Sequence, residues 1–115
     1  MSEPERPNRV ELNDRARWRS WLERNHAKQT GVWLVTYKKS AGKPRIEYEA
    51  AVEEAICFGW IDSKSKAVDD ERTSLYFAPR RPKSHWTDGN LARFEKLEAA
   101  GLMTDAGRAA YPRPE

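Results

Sequence analysis

The stretch CFGWIDS, Cys57 to Ser63, decides how the whole chain is read. It joins an apolar-striped segment, YEAAVEEAICFG, to a weakly alternating one, WIDSKSKAV. Upstream, Tyr48, Ala51, Val52, Ala55, Ile56 and Phe58 recur at helical spacing and predict one apolar helix face. The same wheel turns Glu53, Glu54 and Cys57 away from that face, toward solvent. Gly59 can end the helix in a left-handed conformation, and Trp60 then opens a strand. Cys57 reads as an inert thiol. A nucleophilic cysteine needs a cation, a histidine or a helix N-terminus beside it, whereas Cys57 sits at a helix C-terminus, where the dipole disfavours a thiolate. The residues of the joint that carry chemistry are therefore Trp60 and Asp62.

Working outward, DDER at residues 69–72 reads as a hairpin loop, and TSLYFAPR as the returning strand. Alternation places Leu75 and Phe77 on one face of it and Tyr76 and Ala78 on the other, with Pro79 and Pro82 as stops. A hairpin centred near residues 70–71 sets Trp60 and Asp62 beside residues 79–82. VWLVTYKK, Val32 to Lys39, is rich in β-branched and aromatic residues and predicts a further strand. Before it, Asn13 or Asp14 caps a helix running to Ala27, on which Trp18, Trp21, Leu22 and Asn25 share a face. After the hairpin, Thr87 caps a helix from Asp88 to Ala100 that Gly101 ends, and Thr104 caps a short last helix. The order is α-β-α-β-β-α-α. It predicts an α+β fold with a small antiparallel sheet of three strands packed with three to four helices. Residues 1–12 read as a flexible arm, 13–111 as one domain and 112–115 as a flexible tail.

Composition fits one small domain: 115 residues, 38% hydrophobic and 34% charged, with five tryptophans supplying much of the burial. A single cysteine allows no internal disulfide and fits a reducing, cytoplasmic setting. The opening MSEPERPNRV has no apolar leader segment, and no apolar run approaches the roughly 20 residues that span a bilayer. Membrane insertion is not expected. Net charge is only +3, but it is unevenly spread. Lys28 to Arg45 holds five basic residues and no acid; Ile46 to Glu71 holds eight acids and two lysines; Arg72 to Lys96 holds six basic residues and two acids. Lys38, Lys39 and Lys43 form a modest basic patch with Arg80, Arg81 and Lys83 if the fold brings the two blocks together.

The search for chemistry is short. His26 and His85 lack partners at metal-ligand spacing, and no HxxxH or CxxC occurs, so no metal is expected. His26 suits a helix C-terminus. No phosphate-binding glycine loop, dinucleotide fingerprint or nucleophile elbow occurs, and no cofactor is expected. The pairs Glu53/Glu54 and Asp69/Asp70 read as solvent-facing charge. The richest stretch is PRRPKSHWTDGN, Pro79 to Asn90. Arg80 and Arg81 stand between prolines, Ser84 and Trp86 follow at a helix start, and Asn90 sits one turn in. With Trp60 and Asp62 across the hairpin, this set suits a small anionic or planar ligand. The alternative is structural: an Asp62–arginine clasp with Trp86 as a core plug.

Taken together, WRSWLERNH, GVWLVTYKKSAGKPRIEYEAAVEEAICFGWIDS, DDER, FAPRRPKSHWTDGN and GLMTDAG resemble the YdeI/OmpD-associated family, also described as bacteriocin-protection proteins. The resemblance spans about residues 18–107. It implies a bacterial, soluble protein with a stress- or bacteriocin-protection role and no assigned reaction. The matched positions include Cys57 to Asp62, Pro79, Arg80, Arg81, Ser84, Trp86 and Asn90. The family pattern has Leu where this chain has Ile56, Thr where it has Ala78, and Ser where it has Thr87. Longer relatives continue into a further helical region. The first functional reading is a ligand-binding module. Its alternatives are a single-stranded nucleic-acid binder using the basic residues with stacking tryptophans, a protein-interaction part such as a homodimer, and an enzyme using Asp62 or Cys57.

Overall fold

The computed structural model describes residues 9–81 and 84–112. Its centre is a four-stranded sheet in the order β1-β2-β4-β3, built from β1 (Arg9–Glu11), β2 (Val32–Tyr37), β3 (Trp60–Ala67) and β4 (Arg72–Pro79). The α+β class and the order of the expected elements hold, but the sheet has four strands rather than three. The extra strand comes from the segment read as an arm. Arg9–Glu11 runs parallel to β2, with Val10 opposite Leu34, and the Leu12 N–H donates to the Val35 carbonyl at 3.1 Å. The folded unit thus begins before residue 13. The hairpin turn lies where expected, between β3 and β4. The Asp69 carboxylate accepts from the Glu71 and Arg72 amides (2.9 and 2.8 Å) and from the Arg72 guanidinium. Led by the guanidinium bond, these contacts hold the Asp69 carboxyl down to about 2.

One sheet face carries Val32, Leu34, Leu75, Phe77 and Trp60, because cross-strand partners share a face. The helices pack on it: α1 (Arg15–Asn25), α2 (Tyr48–Cys57), α3 (Asp88–Ala99) and α4 (Asp105–Ala110). Asp14 caps α1, accepting from the Ala16 amide at 2.7 Å. Trp18 (0% exposed) lies against Phe77 (0%) at 5.1 Å and stacks on Trp21, which meets the buried Trp60 edge-on at 5.9 Å. The Trp18 indole N–H donates to the Ala51 carbonyl at 3.0 Å, so burying the ring strands no donor.

The wheel reading of α2 fails on its polar side. Glu53, Glu54 and Cys57 do not face solvent: they are 4%, 3% and 0% exposed. Tyr48, assigned to the apolar stripe, is 52% exposed. The reason is packing. Helix α2 touches α1, α3, α4 and β3, so from Ala51 onward it has no wet face. Two buried carboxylates need cations, and neighbouring helices supply them. From α1, Arg15 reaches both Glu53 (2.9 Å) and Glu54, and Arg19 reaches Glu54 at 2.9 Å. From α3, Lys96 reaches Glu53. Removing one partner of a buried pair costs roughly 3–5 kcal/mol. Since Arg15 and Arg19 remain partly wet, Glu54→Ala is expected to lower the unfolding free energy by about 3 kcal/mol in urea titrations.

The CFGWIDS joint turns as expected, and α4 docks against it. Gly59 has φ 78°, and a Cβ there would stand 2.8 Å from the Ala106 carbonyl oxygen. The Cys57 carbonyl accepts from both the amide (3.2 Å) and the hydroxyl of Thr104. At Gly107 a Cβ would meet the Cys57 carbonyl oxygen at 2.5 Å and the Met103 sulfur at 2.4 Å. Two glycines therefore let the helix lie directly on the joint. Gly107→Ala is expected to push α4 outward and cost about 1–3 kcal/mol, the range for overpacking. Thermal unfolding checks the cost, and the near-ultraviolet signal of Tyr111, just beyond α4, checks the displacement.

Candidate functional site

The chain reversal at residues 69–71 pairs Trp60 with Pro79, Ile61 with Ala78 and Asp62 with Phe77. The Arg80 amide continues the ladder by donating to the Gly59 carbonyl at 2.9 Å. This brings the arginine segment to the joint, and α4 forms the facing wall. Between them lies a cleft of about 690 Å³. Trp60, Arg80, Arg81, Ser84 and Trp86 all line it. Five of the seven expected ligand residues therefore converge.

Asp62 and Asn90 do not border this cleft. The β3 register shifts between Asp62 and Lys64, and Asp62 pairs with Phe77, two residues short of Pro79. Its carboxylate accepts from the Tyr48 hydroxyl at 3.0 Å. No ion pair joins it to Arg80 or Arg81, so the clasp expected as the structural alternative is not formed. Asn90 is buried under the start of α3, where its side-chain oxygen accepts from Arg93 at 2.8 Å. The α3 start itself is closed by the Thr87 hydroxyl, which accepts from the Asn90 amide at 3.1 Å.

Arg80 is the centre of the site. Its guanidinium carbon lies 3.8 Å from the centroid of the Trp86 ring, a close cation–π contact. Trp86 is held in turn by Phe94 and Tyr111, both edge-on. Nη1 donates to the Ser84 hydroxyl at 3.1 Å and to the His85 carbonyl at 3.3 Å. Nε and Nη2, which share the other edge of the fork, are sealed from solvent and have no hydrogen-bond partner among the described residues. Burial pushes the guanidinium down to about 10, and the field of Asp62 offsets only part of that. Such an edge is the one that grips a carboxylate or phosphate through two parallel bonds.

Composition hid three wall residues. His26 ends α1, its Nδ1 2.8 Å from the Leu22 carbonyl, and its ring lies 5.1 Å from Phe58. His26, Phe58 and Tyr111 all border the cleft. A helix-end histidine reads as a cap, which it is, and only the tertiary fold adds the second role. Cys57 is sealed, and burial pushes its thiol up.

The basic residues do not merge into one patch. Lys38 and Lys39 follow the end of β2 that pairs with Arg72, whereas Arg80 and Arg81 follow the opposite end of β4. Lys43 pairs with Glu71 at 2.9 Å. Lys83, like Pro82, lies outside the described residues.

A half-buried cation with two sealed, unpaired nitrogens is a burden on the fold. Arg80→Met keeps an unbranched apolar chain against Trp86 and removes the stranded donors. Unmet buried donors cost about 1–3 kcal/mol, set against a cation–π contact worth about 0.5–2 kcal/mol. The expected result is unfolding free energy unchanged or raised by about 1 kcal/mol. A loss above about 2 kcal/mol would mark Arg80 as a structural clasp instead.

Fold and cleft together define a small α+β domain with a half-buried, half-satisfied arginine at its cleft. The chain belongs to the DUF8412 family, a domain of unknown function, whose model matches residues 10–110. No curated protein and no solved structure matches the chain.

Proposed function

We propose that this protein is a binding module for a small anion with two oxygens at one end, a carboxylate or phosphate, seated in the cleft between the joint and α4. The observation that carries the reading is the Nε/Nη2 edge of Arg80, buried and without an acceptor. A folded chain of marginal stability retains stranded buried donors at a cost. The edge is closed to solvent in this conformation, so an anion entering from the cleft must displace what covers it before it supplies both missing acceptors. Trp86 serves the guanidinium rather than the ligand, since the cation already occupies its ring. Arg81, exposed at the same rim, adds a second positive charge. The support is for capture rather than turnover: the one thiol is sealed, and the Asp62 carboxylate is turned to Tyr48.

A cytoplasmic setting agrees with a buried free cysteine. Among the described residues no helix is long and apolar enough to cross a membrane. A protective role of the kind implied by the YdeI/OmpD resemblance fits a protein that sequesters an anion.

The test uses inorganic phosphate, acetate and benzoate as probes, followed on labelled protein by NMR. Saturable shifts are expected at the Trp86 indole N–H and the Arg80 Nε–H. In Arg80→Met the affinity should fall at least tenfold, with the fold intact. Absence of any saturable shift at these groups in the wild-type protein, for all three anions, overturns the reading.

A further inference from the structure

A second cavity, of about 370 Å³, lies at the other end of the sheet, between β2, β4 and the start of α2. Its volume falls in the range of about 300–1,000 Å³ typical of small-molecule sites. The floor is apolar: Leu34 and Leu75 from the core face of the sheet, with Ile46 and Ala51 across from them. The polar groups deeper in the wall are already committed. The Thr36 hydroxyl donates to the Asn13 side-chain oxygen at 2.7 Å and accepts from the Ile46 amide at 3.0 Å. A ligand body there meets hydrocarbon, with little left to bond.

The rim is different. Lys38, Lys39 and Arg45 border the cavity, and among the described residues no acid lines it. Among the described residues neither lysine has an ion-pair partner, while Lys43 close by is already paired with Glu71. Arg45 reaches only the exposed Glu47 carboxylate, at 3.9 Å, the outer limit of an ion pair. The α2 start adds to this sign. Glu47 occupies the cap position without a side-chain hydrogen bond, so the first amides of α2 have no side-chain acceptor. Of the other hydroxyls in the lining, Tyr48 donates to Asp62 and Ser74 to the Lys66 carbonyl at 2.8 Å, while Tyr37 and Thr73 complete the wall. Three cations and an uncapped helix start thus surround a closed apolar floor.

We infer that this cavity binds a small monocarboxylic acid with an apolar body, its chain or ring on the Leu34–Leu75 floor and its carboxylate at Arg45 and the lysines. The inference is independent of the Arg80 cleft, since the two sites lie at opposite ends of β4.

Octanoate is the probe, with octanol and acetate as controls for the body and the head. In methyl NMR of the wild-type protein, octanoate should shift Leu34, Ile46 and Leu75 saturably, and acetate should not. Octanol should bind at least tenfold more weakly than octanoate. Arg45→Gln, a rim change that leaves the core intact, should weaken octanoate at least tenfold, and Arg80→Met should leave it unchanged. The inference is overturned if octanoate leaves those methyls unmoved, if Arg45→Gln binds as the wild type does, or if octanol binds equally well. It is also overturned if the shifts follow Arg80→Met instead, which would place the acid in the other cleft without harming that proposal.

Discussion

Two buried carboxylates on one helix organise this molecule. Glu53 and Glu54 are adjacent in sequence, so their side chains leave α2 about 100° apart. One faces the seam with α3 and the other the seam with α1, and Arg15 spans both. A buried carboxylate tolerates few geometries, because each misplacement strands charge in a dry site. The helices are therefore fixed relative to α2 by directional bonds as well as by the aromatic core of Trp18, Trp60 and Phe77. Both candidate sites then hang from the two ends of α2. Its first turn borders the cavity beneath Lys38 and Arg45, and its last turn hands the chain through Gly59 to the Arg80 cleft.

Local signals in the sequence were strongest where backbone chemistry decides the outcome. Gly59 as a left-handed helix end, the DDER reversal, the Asp14, Thr87 and Thr104 caps and the alternation in TSLYFAPR all appear where their residue types demand. What was not legible depends on partners far along the chain. Nothing near Glu53 and Glu54 announces burial, since their cations come from positions 35, 38 or 39 residues earlier and 43 residues later. A helical wheel sorts residues by their own polarity and cannot register a cation that arrives through the fold. Strand β1 escaped for a related reason. RVE is short and charged at both ends, and its parallel pairing with β2 requires the α1 crossover to close.

The candidate cleft shows the same division. Proline and arginine spacing brought Arg80, Ser84 and Trp86 to one locus, as the structure does, because a hairpin fixes register within a residue or two. The Asp62–arginine contact failed on a detail of that register. One irregular step between Asp62 and Lys64 separates the carboxylate from the strand end, and an exposed tyrosine takes it instead. The consequence reaches beyond a lost ion pair. Had Asp62 met the guanidinium, the fork would be neutralised and the locus would read as a structural clasp. Its diversion to Tyr48 is what leaves the Nε/Nη2 edge without an acceptor.

That edge distinguishes a site from a strut. A structural arginine gathers acceptors on every face, because each bond it makes repays part of its desolvation. Arg72 does so: its fork takes Asp69 on one side and Glu11 on the other. Arg80 instead stands on an indole, spends one nitrogen on Ser84 and His85, and holds two donors dry. Both arginines sit at ends of the same strand, so strand position does not explain the contrast. The difference lies in what the surrounding chain withholds. Around Arg72 it supplies two carboxylates, and around Arg80 it supplies an aromatic floor and a cleft. Preorganised donors without an internal acceptor cost the folded state stability that a bound anion would return, and that is the ground on which Arg80 rather than Arg72 is proposed for binding.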